Sequence, residues 1–272
     1  MGTDKRNRKK HNRQLRLEQV ARQSKRRKTQ RTVVRIAIVL AIVVSVGGII
    51  AVSGNEPEPA ATPETTAAAT TETTAFTPPA GRTLTGPTPC PAEDGSEERV
   101  AQFEQAPPTC IEEGVTYSAI VETNKGAFTI ELDAAAAPLT VNNFVVLARY
   151  KYFDGTSCHR AIPSFVVQCG DPTATGSGGP GYQFADELPE AGQYTIGSIA
   201  MANSGPNTNG SQFFVITGDS GASLDPNYSL FGQVSDGLDT TVPALDAAGN
   251  PADNGVPPLE QLLITSVTIV ES

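Results

Sequence analysis

Two stretches decide how this chain folds. FDGTSCHRAIPSFVVQCGDP, residues 153–172, places short apolar runs at 158–162 and 165–168 on either side of Pro163-Ser164. SIAMANSGPNTNGSQFF, residues 198–214, joins an apolar run at 198–202 to another at 212–217 through a cluster of Asn, Gly, Pro and Ser. Runs this short, bounded by turn formers, are strands rather than helices. Upstream, 117–122 and 127–132 alternate in strand fashion around Thr123-Asn124-Lys125-Gly126, a hairpin signal with Gly available for a positive φ. Pro138 then opens a helix that carries Val141, Phe144, Val145 and Ala148 on one face to about Tyr150. Downstream, 229–234 and 262–270 read as strands, and a second helix is expected near 240–248, where Pro243 must lie at its start. Seven or eight strands and one or two helices in about 155 residues predict an antiparallel barrel or sandwich with helical caps.

Charge divides the remainder of the 272 residues sharply. Residues 1–35 hold fourteen Lys and Arg against Asp4 and Glu18, while everything after holds six against twenty-seven acids. A strongly acidic globular part argues against nucleic-acid binding. Residues 36–52 (IAIVLAIVVSVGGIIAV) carry no charge, and with Thr32-Val33-Val34 they reach the length that crosses a bilayer. The basic region before them is far longer than a signal-peptide n-region, which favours a permanent anchor over a cleaved leader. Positive charge on one flank places the N-terminus in the cytoplasm and the rest outside. From Ser53 the chain is almost wholly Pro, Thr, Glu and Ala, a composition that cannot offset the entropy of ordering. The expected organisation is therefore a basic cytoplasmic segment (1–31), a transmembrane anchor (32–52), a disordered linker (53–89), a lead-in bracketed by Cys90 and Cys110 (90–117) and a folded domain (118–272). Outside the membrane, a disulfide between Cys90 and Cys110 is favoured by the compartment.

Most catalytic chemistries find no residues here. The four Cys are too scattered for a zinc ribbon, there are two His in all, and no G-x-S-x-G elbow occurs. His159, beside Arg160 at the start of a strand, reads as structural. Residues 176–181 (GSGGPG) match G-x-G-x-x-G formally, but no strand precedes them and no helix follows, so they read as a surface loop. Taken singly, Phe165 and Phe214 read as core and Asn203 as a turn former.

Their joint occurrence changes that reading. Residues 153–172 and 198–214 together resemble the signatures of the cyclophilin family of peptidyl-prolyl cis–trans isomerases. The first is met at most positions, with Cys158 and Cys169 as departures; the second, MANSGPNTNGSQFF, is met throughout. The likeness covers about 118–270. It implies a closed, eight-stranded antiparallel barrel capped by one or two helices, and catalysis without cofactor, metal or covalent intermediate. Arg160 matches the catalytic arginine. Phe165, Val166, Phe214 and Leu224 match the walls of a proline pocket, with Tyr228 at its rim, and Gln168, Ala202 and Asn203 match positions that hold the peptide backbone. Such chemistry suits a domain poor in His, because an X-Pro bond isomerises by twisting an amide, which needs a donor near the imide and an apolar slot. If the hairpin turns at Pro163-Ser164, Cys158 and Cys169 fall nearly opposite each other, and a disulfide is expected between them.

Ser223 stands where many eukaryotic cyclophilins carry Trp, and Tyr228 where many carry His, which weakens the expectation of cyclosporin binding more than that of catalysis. The resemblance implies proline-containing peptides and unfolded exported proteins as partners. The alternative is a prolyl-peptide binding or chaperone module with little turnover.

Overall fold

In the computed structural model, which describes residues 76–272, β1 (Arg82–Leu84) and β2 (Val100–Phe103) form a small parallel sheet of their own. The chain continues through β3 (Tyr117–Thr123), β4 (Gly126–Leu132) and helix α1 (Pro138–Arg149). Next come β5 (Thr156–Ser157), β6 (Arg160–Ile162), β7 (Val166–Cys169), β8 (Ser198–Met201) and β9 (Phe213–Ile216). Helix α2 (Asp219–Ala222), β10 (Leu230–Asp236), helix α3 (Thr241–Ala247), a 3-10 turn (Asp253–Gly255) and β11 (Leu263–Glu271) complete the domain. The hairpin at 123–126, the helix at Pro138 and the helix around Pro243 lie where local pattern placed them.

Nine strands, β3 to β11, make one antiparallel sheet in the order β5-β11-β3-β4-β10-β8-β9-β7-β6. This corrects the expected closed barrel of eight. The two edge strands, β5 and β6, are successive pieces of chain separated only by Cys158-His159, so the sheet curls until its edges meet through the covalent backbone. Eight successive antiparallel pairings give β5 and β6 the same direction, and parallel neighbours need a crossover far longer than two residues to form a ladder. Among the described residues helices number three rather than one or two, and α2 is a single turn.

Helix α1 is buried from Thr140 to Arg149. Its Phe144 meets Phe153, Phe213 of β9 and Phe231 of β10 at ring separations of 5.0, 5.4 and 5.3 Å, which ties the helix to the inner face of the sheet. Aromatic contacts of this kind supply most of a core's buried area per residue. The strands are therefore positioned by one interior cluster that also includes Val121, Ile130, Val167, Ile199 and Val215.

The stretch ahead of β3 is ordered as well. Residues 76–89 were expected to belong to a disordered linker, yet β1 lies within them and Thr88 is buried, its hydroxyl donating to the Gln105 carbonyl at 2.6 Å. Composition missed this because the segment is held by distant partners. Tyr150 donates to the Pro89 carbonyl at 3.0 Å, and Asn142 of α1 donates to the Pro108 carbonyl and accepts from the Cys110 N–H. Cys90 and Cys110 are disulfide-bonded, with Cα atoms 5.5 Å apart. The expected basic segment (1–31), the anchor (32–52) and linker residues 53–75 lie outside the described residues. Among the described residues no helix is long and apolar enough to cross a membrane.

Candidate active site

Successive side chains in a strand point to opposite faces. In β7, Val167 enters the interior cluster while Val166 and Gln168 face outward; in β9, Phe213 and Val215 go inward while Phe214 and Ile216 face outward. Ala200 of β8, opposite Phe214, completes the outward surface. A second apolar cluster results on the convex side of the sheet, made of Val166, Tyr194, Ala200, Phe214 and Ile216. Partly buried Phe165, Ala202, Leu224, Tyr228 and Leu230 pack against it. The first five are themselves buried, and the partly buried side chains around them are what the surface there offers to an apolar group.

The β6–β7 hairpin carries the charge to this patch. Arg160 pairs with Gln168, and Ile162 with Val166, across a turn in which Ser164 adopts a left-handed φ of 58°. The Ser164 N–H donates to the Asp246 carboxylate at 2.8 Å, a carboxylate that also accepts from the Thr217 hydroxyl at 2.5 Å. Behind the turn, a Cβ on Gly218 would approach the Ser164 backbone to 2.6 Å, so only glycine lets the loop pack there. Cys158 and Cys169 are joined by a disulfide with Cα atoms 4.0 Å apart, closing the base of the hairpin.

Arg160 is fixed at both ends of its fork. Nε donates to the Asn254 carbonyl at 3.0 Å and Nη2 to Asn254 Oδ1 at 3.2 Å, while Nη1 donates to Gln168 Oε1 at 3.2 Å. The guanidinium carbon lies 5.7 Å from the Phe165 ring centre, within cation–π range. None of these partners is a carboxylate, so the positive charge is not neutralised by an ion pair at the patch. Partial burial lowers the guanidinium pKa, with Tyr228 acting the other way, but an arginine remains charged at any physiological pH.

From Gln168 a chain of hydrogen bonds runs away from the patch. Gln168 Nε2 donates to Gln212 Oε1 at 2.9 Å, and Gln212 Nε2 donates to the carbonyls of Gly176 and Gly178 at 3.1 and 2.9 Å. The glycine-rich loop is itself wound around Asp171, whose carboxylate accepts the N–H groups of Thr173, Thr175, Gly176 and Gly178. Burial pushes this carboxyl up, yet the bonds from Thr173, Gly178 and Gly176 outweigh it and lower its pKa. Gln168, Ala202, Asn203, Gln212 and this loop line a groove of about 680 Å³ that adjoins the apolar patch. The stretch read as an ordinary surface loop is thus one wall of the site, a role that a match to G-x-G-x-x-G had no power to reveal.

Eight of the nine residues singled out as catalytic or substrate-binding gather at one place: Arg160, Phe165, Val166, Gln168, Ala202, Phe214, Leu224 and Tyr228. Phe214 and Tyr228 meet edge to face at 5.3 Å. Asn203 lines the adjoining groove, but its side chain is engaged internally: Nδ2 donates to the Asn227 carbonyl and Oδ1 accepts from the Gly205 N–H. Ser223 turns its hydroxyl back onto the Asp219 carbonyl at 2.9 Å rather than walling the pocket. Residues absent from the sequence reading are Asn254, which holds the guanidinium, and Tyr194. The Tyr194 hydroxyl donates to the Tyr228 carbonyl at 2.6 Å and accepts the Tyr228 N–H at 3.1 Å, setting the rim aromatic from 34 residues away. Among the described residues no group of three or more His, Cys, Asp or Glu is gathered as a metal would require.

The model of the cyclophilin type peptidyl-prolyl cis-trans isomerase family matches residues 118–269, more than half of the sequence. The chain belongs to the cyclophilin family. A protein of Mycobacterium leprae described as "Probable peptidyl-prolyl cis-trans isomerase B" is 42% identical over 171 residues, which cover 57% of this cyclophilin and 57% of the relative. The Mycobacterium tuberculosis protein of the same description is 44% identical over 165 residues, covering 54% and 52%. This cyclophilin thus spans little more than half the length of these relatives. A Cryptosporidium parvum cyclophilin type peptidyl-prolyl cis-trans isomerase, crystallised in the presence of the dipeptide Ala-Pro, superposes with a TM-score of 0.52 at 34% identity. The match covers 57% of this chain and 99% of that one.

Proposed function

We propose that this cyclophilin accelerates cis–trans isomerisation of X-Pro bonds, with Arg160 as the catalytic residue. The observation that carries the reading is a guanidinium held by Asn254 and Gln168 at the rim of an outward apolar patch, with no carboxylate to neutralise it. Isomerisation crosses a barrier of about 18–20 kcal/mol because amide resonance resists twisting. As the bond twists, the prolyl nitrogen becomes pyramidal and its lone pair localises, so a charged donor aimed at that nitrogen binds the twisted state better than either planar one. Phe165, Val166, Phe214, Leu224 and Tyr228 hold the ring still by burying it, and Gln168 steers the neighbouring backbone through its amide. No bond forms or breaks, and no proton changes hands.

Exported, unfolded proteins are the proposed clients, reached by a domain tethered outside the membrane. Support for that placement comes from the basic flank, the uncharged run at 36–52, and two disulfides, which persist in oxidising compartments. Cyclosporin is expected to bind weakly, because Ser223 offers a hydroxyl directed at its own helix in place of an indole. Exchange spectroscopy on an X-Pro peptide separates catalysis from simple binding. Catalysis predicts accelerated interconversion that falls about 10²–10³-fold in Arg160→Ala, the usual effect of removing one preorganised hydrogen-bond donor. Shifted peptide resonances without faster exchange would instead establish a binding module.

A further inference from the structure

The groove beside the apolar patch has a wall that lies outside the family match. Gln102, on β2, lines it together with Gly179, Pro180 and Gly181, whereas the match begins at residue 118. The contact is built from backbone upward. Phe103 N–H donates to the Pro180 carbonyl at 2.8 Å and Gln102 Nε2 to the Gly179 carbonyl at 3.0 Å. A Cβ on Gly181 would sit 2.3 Å from the Phe103 carbonyl oxygen, so the two backbones touch only because that residue is glycine. Phe103 is buried against Tyr150, Tyr152 and Tyr182, with ring centres 5.6, 6.2 and 6.1 Å away. Arg99 donates to the Tyr152 carbonyl at 2.9 Å, and the Cys90–Cys110 bridge closes the loop that contains β2. Gln102 itself is exposed on the groove side of this anchored strand.

We propose that Gln102 is a specificity-determining residue, through which the segment ahead of the family domain selects X-Pro substrates bearing a neutral hydrogen-bonding side chain near the proline. The inference rests on the isomerase reading above. Its chemistry follows from the lining, which contains amides, hydroxyls and glycine backbone but no Asp, Glu, Lys, Arg or His. A charged side chain entering such a groove loses water without gaining a counter-charge, and an aliphatic one leaves the amides unmatched. An amide or hydroxyl donor can instead bond Gln102 Oε1, which accepts nothing among the described residues.

The test uses the full chain in detergent and pairs of X-Pro peptides that differ only by Gln or Leu at one position, scanned on both sides of the proline. Wild type is expected to favour Gln over Leu in kcat/KM about two- to tenfold at one position, the range for a net hydrogen bond. In Gln102→Ala that ratio falls towards one. Gln102→Glu guards against mere loosening of β2: at the same position it raises kcat/KM for Lys peptides and lowers it for Glu peptides, each about two- to fivefold at low salt. Opposite responses to opposite charges cannot come from a loosened strand. Ratios that stay the same in both variants, while every peptide is isomerised, overturn the role of Gln102 and leave the activity standing. Failure of wild type to accelerate any peptide overturns the activity, and this inference with it.

Discussion

Removing the Cys158–Cys169 bridge separates what holds the domain together from what holds its catalytic edge. The bridge spans 11 residues, so chain-entropy reasoning gives it about 2.8 kcal/mol through restriction of the unfolded state. For a folded unit of ~200 residues, that corresponds to a midpoint lowered by about 7 °C. Both cysteines are buried, so Cys158→Ala with Cys169→Ala is the cleaner pair, because serine would bury two hydroxyls. A second effect follows from position. Strand β6 is an edge strand paired only with β7 over three residues, whereas β7 is also paired with β9 over four. Loss of the bridge should therefore let β6 open locally, carrying Arg160 away from Phe165 and Gln168, while β9 stays closed. Urea unfolding measures the first effect and amide exchange the second, with β6 amides accelerated beyond those of β9. A stability loss under about 1 kcal/mol, or equal acceleration in both strands, would refute the reasoning.

Three other outcomes are expected. Gly170→Ala should cost at least about 2 kcal/mol in urea unfolding, since the residue has a φ of +85° and its Cβ would meet the Ser211 carbonyl oxygen at 2.2 Å. Tyr194→Phe removes both bonds to the Tyr228 backbone, so KM should rise several-fold with little change in kcat, as titration of a proline peptide would measure. His159 is 6% exposed, its Nδ1 has no partner, and burial lowers its pKa, with Asp171 opposing and Arg160 reinforcing the shift. The unfolded chain then takes up a proton near pH 6.5 that the folded one resists, so this group's contribution is intact above pH 6.5 and is lost as pH falls below it. Urea midpoints from pH 7.5 to 5 should drop more steeply for wild type than for His159→Gln; parallel curves would exclude the effect.

Local chemistry was enough to read the hairpin at 123–126, the helix opened by Pro138 and the strands around Pro163-Ser164, because alternation and turn residues act over a few positions. The likeness of the two motif segments to the cyclophilin signatures pointed to Phe165, Val166 and Phe214 of the apolar patch, although each aromatic taken singly reads as core. Beyond reading were contacts made by distant chain. Asn254 reaches Arg160 across 94 residues, and Gln102 reaches Gly179 across 77. Asn254 sits in a left-handed turn, and Gln102 lies on a short strand within the Cys90–Cys110 lead-in, ahead of the domain boundary expected at residue 118.

The curl of the sheet belongs to the same class. Strand count and alternation indicated a barrel or a sandwich, and the family resemblance a closed barrel, but how the two edge strands β5 and β6 come round to each other is a property of the whole path. What this sequence determined alone is which side chains share a face and which chemistry they offer, because periodicity and turn geometry are short-range. The tertiary structure decided who holds the guanidinium, what walls the groove and how the sheet closes, because those depend on hydrogen bonds and packing between segments that only the folded topology brings within reach.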